Sequence, residues 1–298
     1  MTQIKMNNGD IPMHHLLPGT VLNGKYIIQS VIGEGGFGIT YKAKYIDDDS
    51  EIAVKEYYPF GYVNRSNYVS NEVSTNVTQE REELFFASKN RFIREAEILS
   101  RFSDAPGIVK ILDYFEENNT AYIVMEYLEG MTMLRYVREN GPMSIEKAAE
   151  LTMPIMELLS NLHKNDVIHR DISPDNIMIC DDCAKLIDFG MACPISTYSA
   201  SVALKPGYAP EEQYRKKGEL GSWTDVYSLC ATIYKCITGI TPEDSISRMV
   251  EDKIKKPSEV GVEINSEIEN VIMRGMGVTK MQRIEKFDEI LEVFERFF

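Results

Sequence analysis

Within His169-Arg170-Asp171-Ile172-Ser173-Pro174-Asp175-Asn176 an Asp and an Asn stand five residues apart, and Asp188-Phe189-Gly190 begins twelve residues after Asn176. Asp171 is a carboxylate able to take the proton of an attacking hydroxyl. Asn176 and Asp188 are oxygen donors suited to a hard divalent cation. In this order and spacing the three form a phosphoryl-transfer pattern, in which catalysis comes from positioning and from neutralising charge on the phosphoryl oxygens. Either motif alone is weak. Together, downstream of Gly33-Glu34-Gly35-Gly36-Phe37-Gly38 and of the lone Lys in Ile52-Ala53-Val54-Lys55, they make a chance coincidence very unlikely.

These residues need elements to position them. Tyr26–Ile32, Gly38–Tyr45 and Glu51–Tyr57 carry alternating or β-branched residues between turn signals, which predicts an antiparallel meander. The glycine run therefore links two strands and does not open a helix. That disfavours a dinucleotide-binding turn and favours a hairpin flap whose backbone N–H groups lie over phosphates. Leu84, Phe85, Phe92, Ala96 and Leu99 recur at helical spacing, and Val109–Phe115 and Ala121–Tyr127 give two more strands around a Glu117-Asn118-Asn119 turn. Beyond Leu128 the pattern turns helical. Ser144 can cap a helix to about Asn165, kinked by Pro154 or absorbing it near its first turns, and Thr224–Thr238 is an apolar helix stopped by Gly239.

The expected class is α+β and bilobal: a small, mainly β N-lobe with one major helix and a larger, mainly α C-lobe. Met1–Thr20 reads as an N-terminal tail and 21–298 as one domain, with the N-lobe at about 21–127 and the C-lobe at about 128–298. Ligand is expected in the cleft between lobes.

Composition narrows the partners. A formal net charge of −14 argues against general affinity for nucleic acid or anionic lipid. The start carries no apolar leader, and no window approaches the ~18–20 apolar residues of a membrane span, so a cytoplasmic protein is expected. Five Cys without regular spacing do not suggest a disulfide framework. Cys180-Asp181-Asp182-Cys183 has the gap of a zinc knuckle, but lacking a second pair it reads as a hairpin turn.

With these motifs the chain resembles the eukaryotic-like (Hanks-type) serine/threonine protein kinases. Lys-Glu-Tyr-aromatic-Pro after the Lys55 strand, with Gly-Phe-Gly-Ile-Thr-Tyr in the flap, resembles their bacterial branch. The resemblance implies ATP and Mg²⁺ as cofactors and a protein substrate with a Ser or Thr acceptor. It implies Asp171 as base, Asn176 and Asp188 as Mg²⁺ ligands, and Lys55 on the α- and β-phosphates, paired with Glu95 and not Glu97. Gly33, Gly35, Gly36, Phe37, Gly38 and Thr40 would cover the nucleotide. Ala53 and Met178 would sandwich adenine, Met125 would be the gatekeeper, and the backbone of Glu126 and Leu128 would bond the adenine edge. His169 would pack under Phe189, Arg170 would meet a phosphate or carboxylate on the activation segment, Asp225 would anchor the catalytic loop, and Arg283 would pair with the Glu closing that segment.

The chain also departs from the family. Ser173 stands where most members carry Lys. Aligned without gaps, Lys205-Pro206-Gly207-Tyr208-Ala209-Pro210-Glu211-Glu212 puts Lys205 where Thr is usual and Glu212 at the closing Glu; a gapped alignment would choose Glu211. In the family those Lys and Thr side chains meet, so the two anomalies read as one exchange, with Lys205 supplying the γ-phosphate contact beside Ser173. Lys55 and Glu95 are 40 residues apart, longer than the family norm, and the 57–78 insertion is expected to pack on the small lobe or recruit a partner. Ser196, Thr197, Tyr198, Ser199 and Ser201 are candidate activation-segment phosphosites. The rival reading is a pseudokinase, a nucleotide-binding scaffold that signals by conformation.

Overall fold

Along Gly38–Tyr45, Ile39, Tyr41 and Ala43 are fully buried while Thr40 and Lys42 are half-exposed, the alternation of a strand with one buried face. The computed structural model describes residues 11–36, 38–75, 78–181, 183–188, 193–194, 204–215 and 218–298. The chain divides into two units, one of residues up to Asp104 with Val109–Leu128, the other of Ala105–Ile108 with Glu129–Phe298.

The first unit is built on one antiparallel sheet of Val21–Leu22 (β1), Tyr26–Gly35 (β2), Gly38–Tyr45 (β3), Glu51–Tyr57 (β4), Ile111–Glu117 (β5) and Thr120–Glu126 (β6), in the order β1-β2-β3-β4-β6-β5. Ile52, Ala53 and Val54 are all buried because β4 lies mid-sheet and is covered on both faces. Asn118 and Asn119 both take positive φ, the two-residue turn whose twist matches its strands. The β5 ladder starts and ends two residues later than hydropathy suggests, since backbone pairing of Glu117 with Thr120 carries it up to the turn.

Helix α1 (Gln79–Ser100) buries Phe85, Phe92, Glu95, Ala96 and Leu99. Tyr57 packs its ring against Phe85 and Phe92, which places α1 on the face of β4 that also carries Lys55. Leu84 departs from expectation: it lies about 100° around the helix from Phe85 and is exposed.

The opposite face carries Glu56, and it is covered by the stretch read as a tail together with the insertion. Leu16, His15, Tyr58, Val63 and Val73 are buried there. Arg65 forms an ion pair with both oxygens of Glu56, which also accepts from Tyr41 Oη (2.9 Å) and Tyr122 Oη (2.8 Å). Arg65 further donates to the backbone oxygens of His14 and Asn71 (2.9 and 2.8 Å), and Asn67 donates to that of His15 (2.9 Å). The insertion therefore packs on the small lobe, with Tyr62, Tyr68 and Val69 turned outward among the large apolar side chains of its described residues.

The second unit runs β7 (Met131–Thr132), α2 (Met133–Asn140), α3 (Ile145–Lys164), β8 (Val167–Ile168), β9 (Ile177–Cys180), β10 (Cys183–Leu186), β11 (Cys193–Pro194), α4 (Glu211–Tyr214), α5 (Ser222–Thr238), α6 (Ser245–Val250), α7 (Ser266–Gly275) and α8 (Phe287–Phe294). Ser144 caps α3 by accepting from Lys147 N (3.3 Å). Pro154 sits mid-helix and α3 runs through it. Helix α5 is buried almost all round and stops at Gly239, which takes the left-handed conformation. Cys180 and Cys183 close the β9–β10 hairpin as paired residues, with Asp181 at positive φ. No helix among the described residues is long and apolar enough to cross a membrane.

Candidate active site

In the first unit the β2–β3 hairpin aligns Gly33 with Thr40 and Gly35 with Gly38. A Cβ at Gly38 would stand 2.5 Å from the Glu56 carbonyl oxygen, so strand packing alone demands glycine there. Gly35 and Gly36 differ: a Cβ on either would meet nothing within 4 Å. Among the described residues no packing requires glycine at these two, and the room above their backbone is free for a group from outside the chain. Phe37 lies outside the described residues.

Register places the remaining residues of this half. Thr40 pairs with Lys55 and Ala53 with Met125, the latter two both buried on adjacent strands. Glu126 N donates to the Lys110 carbonyl (3.0 Å) and its carboxylate accepts from Lys110 N (2.8 Å), so its N–H is already used. Leu128 is half-buried just after β6. Glu95 lies on the buried stripe of α1, whereas Glu97 is exposed and pairs with Arg101 (3.5 Å). Burial thus separates the two acids as the Phe92 and Leu99 stripe suggests.

In the second unit the loop after β8 is held by one buried carboxylate. Asp225 on α5 accepts from His169 N and Arg170 N, both at 2.8 Å, and contacts His163 Nε2 at 2.8 Å. Burial pushes the Asp225 carboxyl up, but the hydrogen bond and charge of His163 and the backbone donors outweigh it, and the group stays below the usual carboxylate range. This anchor holds Arg170 at φ 72°, unusual for a non-glycine residue. Gln213 adds a hydrogen bond to the Arg170 carbonyl (2.9 Å). His169 is fully buried, accepts from Asp171 N on Nδ1 (3.2 Å), and is pushed down to about 4 by burial, against the opposing pull of Asp225 and Asp188. It is neutral at pH 7.

The reactive cluster sits on that loop. Asn176 Nδ2 donates to the Asp171 carbonyl (2.8 Å) and to Asp171 Oδ2 (2.9 Å). Lys205 Nζ donates to Ser173 Oγ at 2.9 Å and lies 3.4 Å from Asp171 Oδ1. Burial raises the Asp171 carboxyl to about 6; Lys205 pulls the other way and Asp188 adds to the rise. Ile187 N donates to the Asn176 carbonyl (3.0 Å), fixing Asp188, half-buried, beside the loop. Met178 lies on β9, paired with Thr132 and Lys185.

Farther along, Arg283 grips Glu212 through both oxygens (2.7 and 3.3 Å), while Glu211 pairs with Arg215. Glu212 is the closing acid, as the ungapped alignment has it. Phe189, Gly190 and the hydroxyls from Ser196 to Ser201 lie outside the described residues. Sequence reasoning missed His163, whose only signal is being polar on the apolar helix α3, and Gln213, which sits in the polar run Glu211-Glu212-Gln213 and gives no signal. It also missed the Glu56–Arg65 pair, which joins a strand to an aperiodic insertion.

The comparisons agree with this arrangement. The family described as "Protein kinase domain" matches residues 26–292. Serine/threonine-protein kinase PrkC of Bacillus subtilis is 31% identical over 287 residues, which cover 92% of this chain and 41% of that protein. Serine/threonine-protein kinase B of Synechocystis is 28% identical over 290 residues, covering 92% and 47%. The chain thus spans less than half the length of these relatives. A solved structure titled "PpkA-294 apo form" is 32% identical with a TM-score of 0.81, covering 94% of this chain and 99% of that one. With nine-tenths of its length matched in sequence and in fold, this chain belongs to the protein kinase domain family.

Proposed function

We propose that this chain transfers the γ-phosphate of ATP to Ser or Thr hydroxyls of protein substrates. One observation carries this over a nucleotide-binding scaffold: the Lys205 ammonium stands between Ser173 Oγ and the Asp171 carboxylate. Binding a nucleotide needs no cation beside the base. Transferring a phosphoryl group does, because charge grows on its oxygens in a site shielded from water.

The residues fit the cofactors. Gly35 and Gly36 leave room for phosphate oxygens to approach the backbone, and Lys55 takes the α- and β-phosphates with Glu95 steadying it. Because the N–H of Glu126 is engaged by Lys110, its carbonyl and the Leu128 backbone take the adenine edge, and Ala53, Met125 and Thr40 line the ring. Both donor bonds of Asn176 Nδ2 run to Asp171, which leaves its Oδ1, with the Asp188 carboxylate, to hold Mg²⁺. That ion, when bound, neutralises charge on the phosphate oxygens.

The chain's own residues do the rest. Asp171 accepts the proton of the acceptor hydroxyl as its oxygen attacks the γ-phosphorus and the bond from that phosphorus to the β,γ-bridging oxygen breaks, releasing ADP, and Asn176 holds the carboxylate in place. Lys205 faces the transferred group. The need for ATP places the reaction in the cytoplasm. Incubation with labelled ATP, Mg²⁺ and generic acceptor proteins should give phosphoserine or phosphothreonine, reduced about 10²–10⁴-fold in Asp171→Asn. Equal labelling by the two proteins would overturn the reading.

A further inference from the structure

The glycine-rich hairpin carries an acid, Glu34, that the transfer chemistry does not use. Its carboxylate meets two adjacent histidines of the N-terminal segment: His15 Nε2 is 2.9 Å from one oxygen and His14 Nε2 3.3 Å from the other. Neighbouring residues of an extended chain point to opposite sides. Here both rings reach one carboxylate because Pro12–His15 forms a turn, closed by His15 N donating to the Pro12 carbonyl (3.0 Å).

The place is built by the rest of the cover. Arg65 holds the His14 carbonyl, Asn67 holds that of His15, and Leu16 N donates to Tyr41 Oη (3.1 Å). The His14 ring stands edge-on to Phe60, 5.2 Å between centroids, and Phe60 N donates to the Gly36 carbonyl (3.1 Å). His15 is buried, while His14 and Glu34 keep partial access to solvent. The histidine backbone is fixed and the entry side is open.

The ligand atoms of His14, His15 and Glu34 all lie within 4.8 Å of one another. Tetrahedral donors at about 2.0–2.1 Å from Zn²⁺ stand about 3.3 Å apart; each imidazole stands 2.9–3.3 Å from its own Glu34 oxygen, so with one oxygen as donor one separation already has nearly that value. Rotation of the partly exposed His14 ring and Glu34 carboxylate closes the rest. Two imidazoles and one carboxylate select a borderline ion such as Zn²⁺ over Mg²⁺ or Ca²⁺, which prefer all-oxygen sites. We infer that His14, His15 and Glu34 form a Zn²⁺-type site, with water as fourth ligand, that fastens the tip of the glycine-rich hairpin to the N-terminal segment.

Occupancy would couple a metal ion to the flap over the nucleotide phosphates. The site itself does not depend on phosphoryl transfer, so its test is binding. Full-length protein, stripped with chelator, is titrated with Zn²⁺ against a chromophoric competitor. One equivalent should bind in wild type and in Cys180→Ser/Cys183→Ser, which removes the cysteine pair of the β9–β10 hairpin. His14→Asn and Glu34→Gln, both on the accessible side, should weaken binding at least 10-fold while leaving the unliganded melting temperature within a few degrees. Zn²⁺ should also slow amide exchange at Gly33–Gly38 in wild type and not in His14→Asn. Absence of a stoichiometric site in wild type, unchanged affinity in both His14→Asn and Glu34→Gln, or loss of the site with the cysteines would each overturn the inference.

Discussion

Two ion pairs of this molecule divide the uses of a buried charge. Glu56 and Arg65 are both fully out of water, and the carboxylate is saturated by two guanidinium nitrogens and two tyrosine hydroxyls. Asp171 and Lys205 are less enclosed, and among the described residues Asp171 is compensated only in part: one amide, one ammonium, and a carboxyl pushed up to about 6. A charge whose hydrogen bonds are all made fixes structure. A charge left short of partners keeps an affinity for a proton, and here it stands where an acceptor hydroxyl must lose one.

The largest expected effect falls on the saturated pair. Arg65→Ala should strand the Glu56 carboxylate in a dry site and cost about 3–5 kcal/mol of stability, read by urea denaturation. The double replacement Arg65→Met with Glu56→Leu should cost clearly less, because no charge is left unpaired. A loss below 1 kcal/mol in Arg65→Ala would erase the contrast between the two pairs.

At the under-compensated pair the sign reverses. An unfolded Asp titrates near ~3.9, so a native carboxyl at about 6 contributes stability below about pH 4 that is lost as pH rises through 6. Above that the ionised group costs the fold about 1–3 kcal/mol. Asp171→Asn should therefore stabilise the metal- and nucleotide-free protein by that amount at pH 8, with the gain shrinking steadily below pH 6. Equal gains at pH 8 and pH 5 would show that Asp171 carries no such cost.

The smallest effect separates the two acids before α5. Glu211→Gln loses one exposed-side partner, Arg215, and should change stability by less than about 1 kcal/mol. Glu212→Gln weakens a bidentate buried pair with Arg283 and should cost more. The reverse ranking would return the gapped alignment.

What could be read from the sequence follows from how local each signal is. The catalytic loop is one continuous segment, so spacing alone relates Asp171, Ser173 and Asn176. The strands β3 and β4 begin and end where alternation, β-branched residues and turn residues put them, since regular packing covers one face of β3 and both faces of β4. Meeting of Lys205 with Ser173 was legible too, because two departures from one pattern could be matched by charge. Glu56 with Arg65, and His14 and His15 with Glu34, were not legible: both depend on where an insertion without periodicity lies down. Leu84 misled for a simpler reason, being apolar one step off the buried stripe.

The central claim is that Lys205 supplies the cation that Ser173 lacks, and a double-mutant cycle on turnover at saturating ATP tests it most directly. Lys205→Ala should lower turnover about 10²–10³-fold with little change in ATP affinity. Ser173→Lys combined with Lys205→Thr should recover much of the loss, with strong non-additivity between the two positions. Near wild-type turnover in Lys205→Ala, or additive losses around the cycle, would contradict the account.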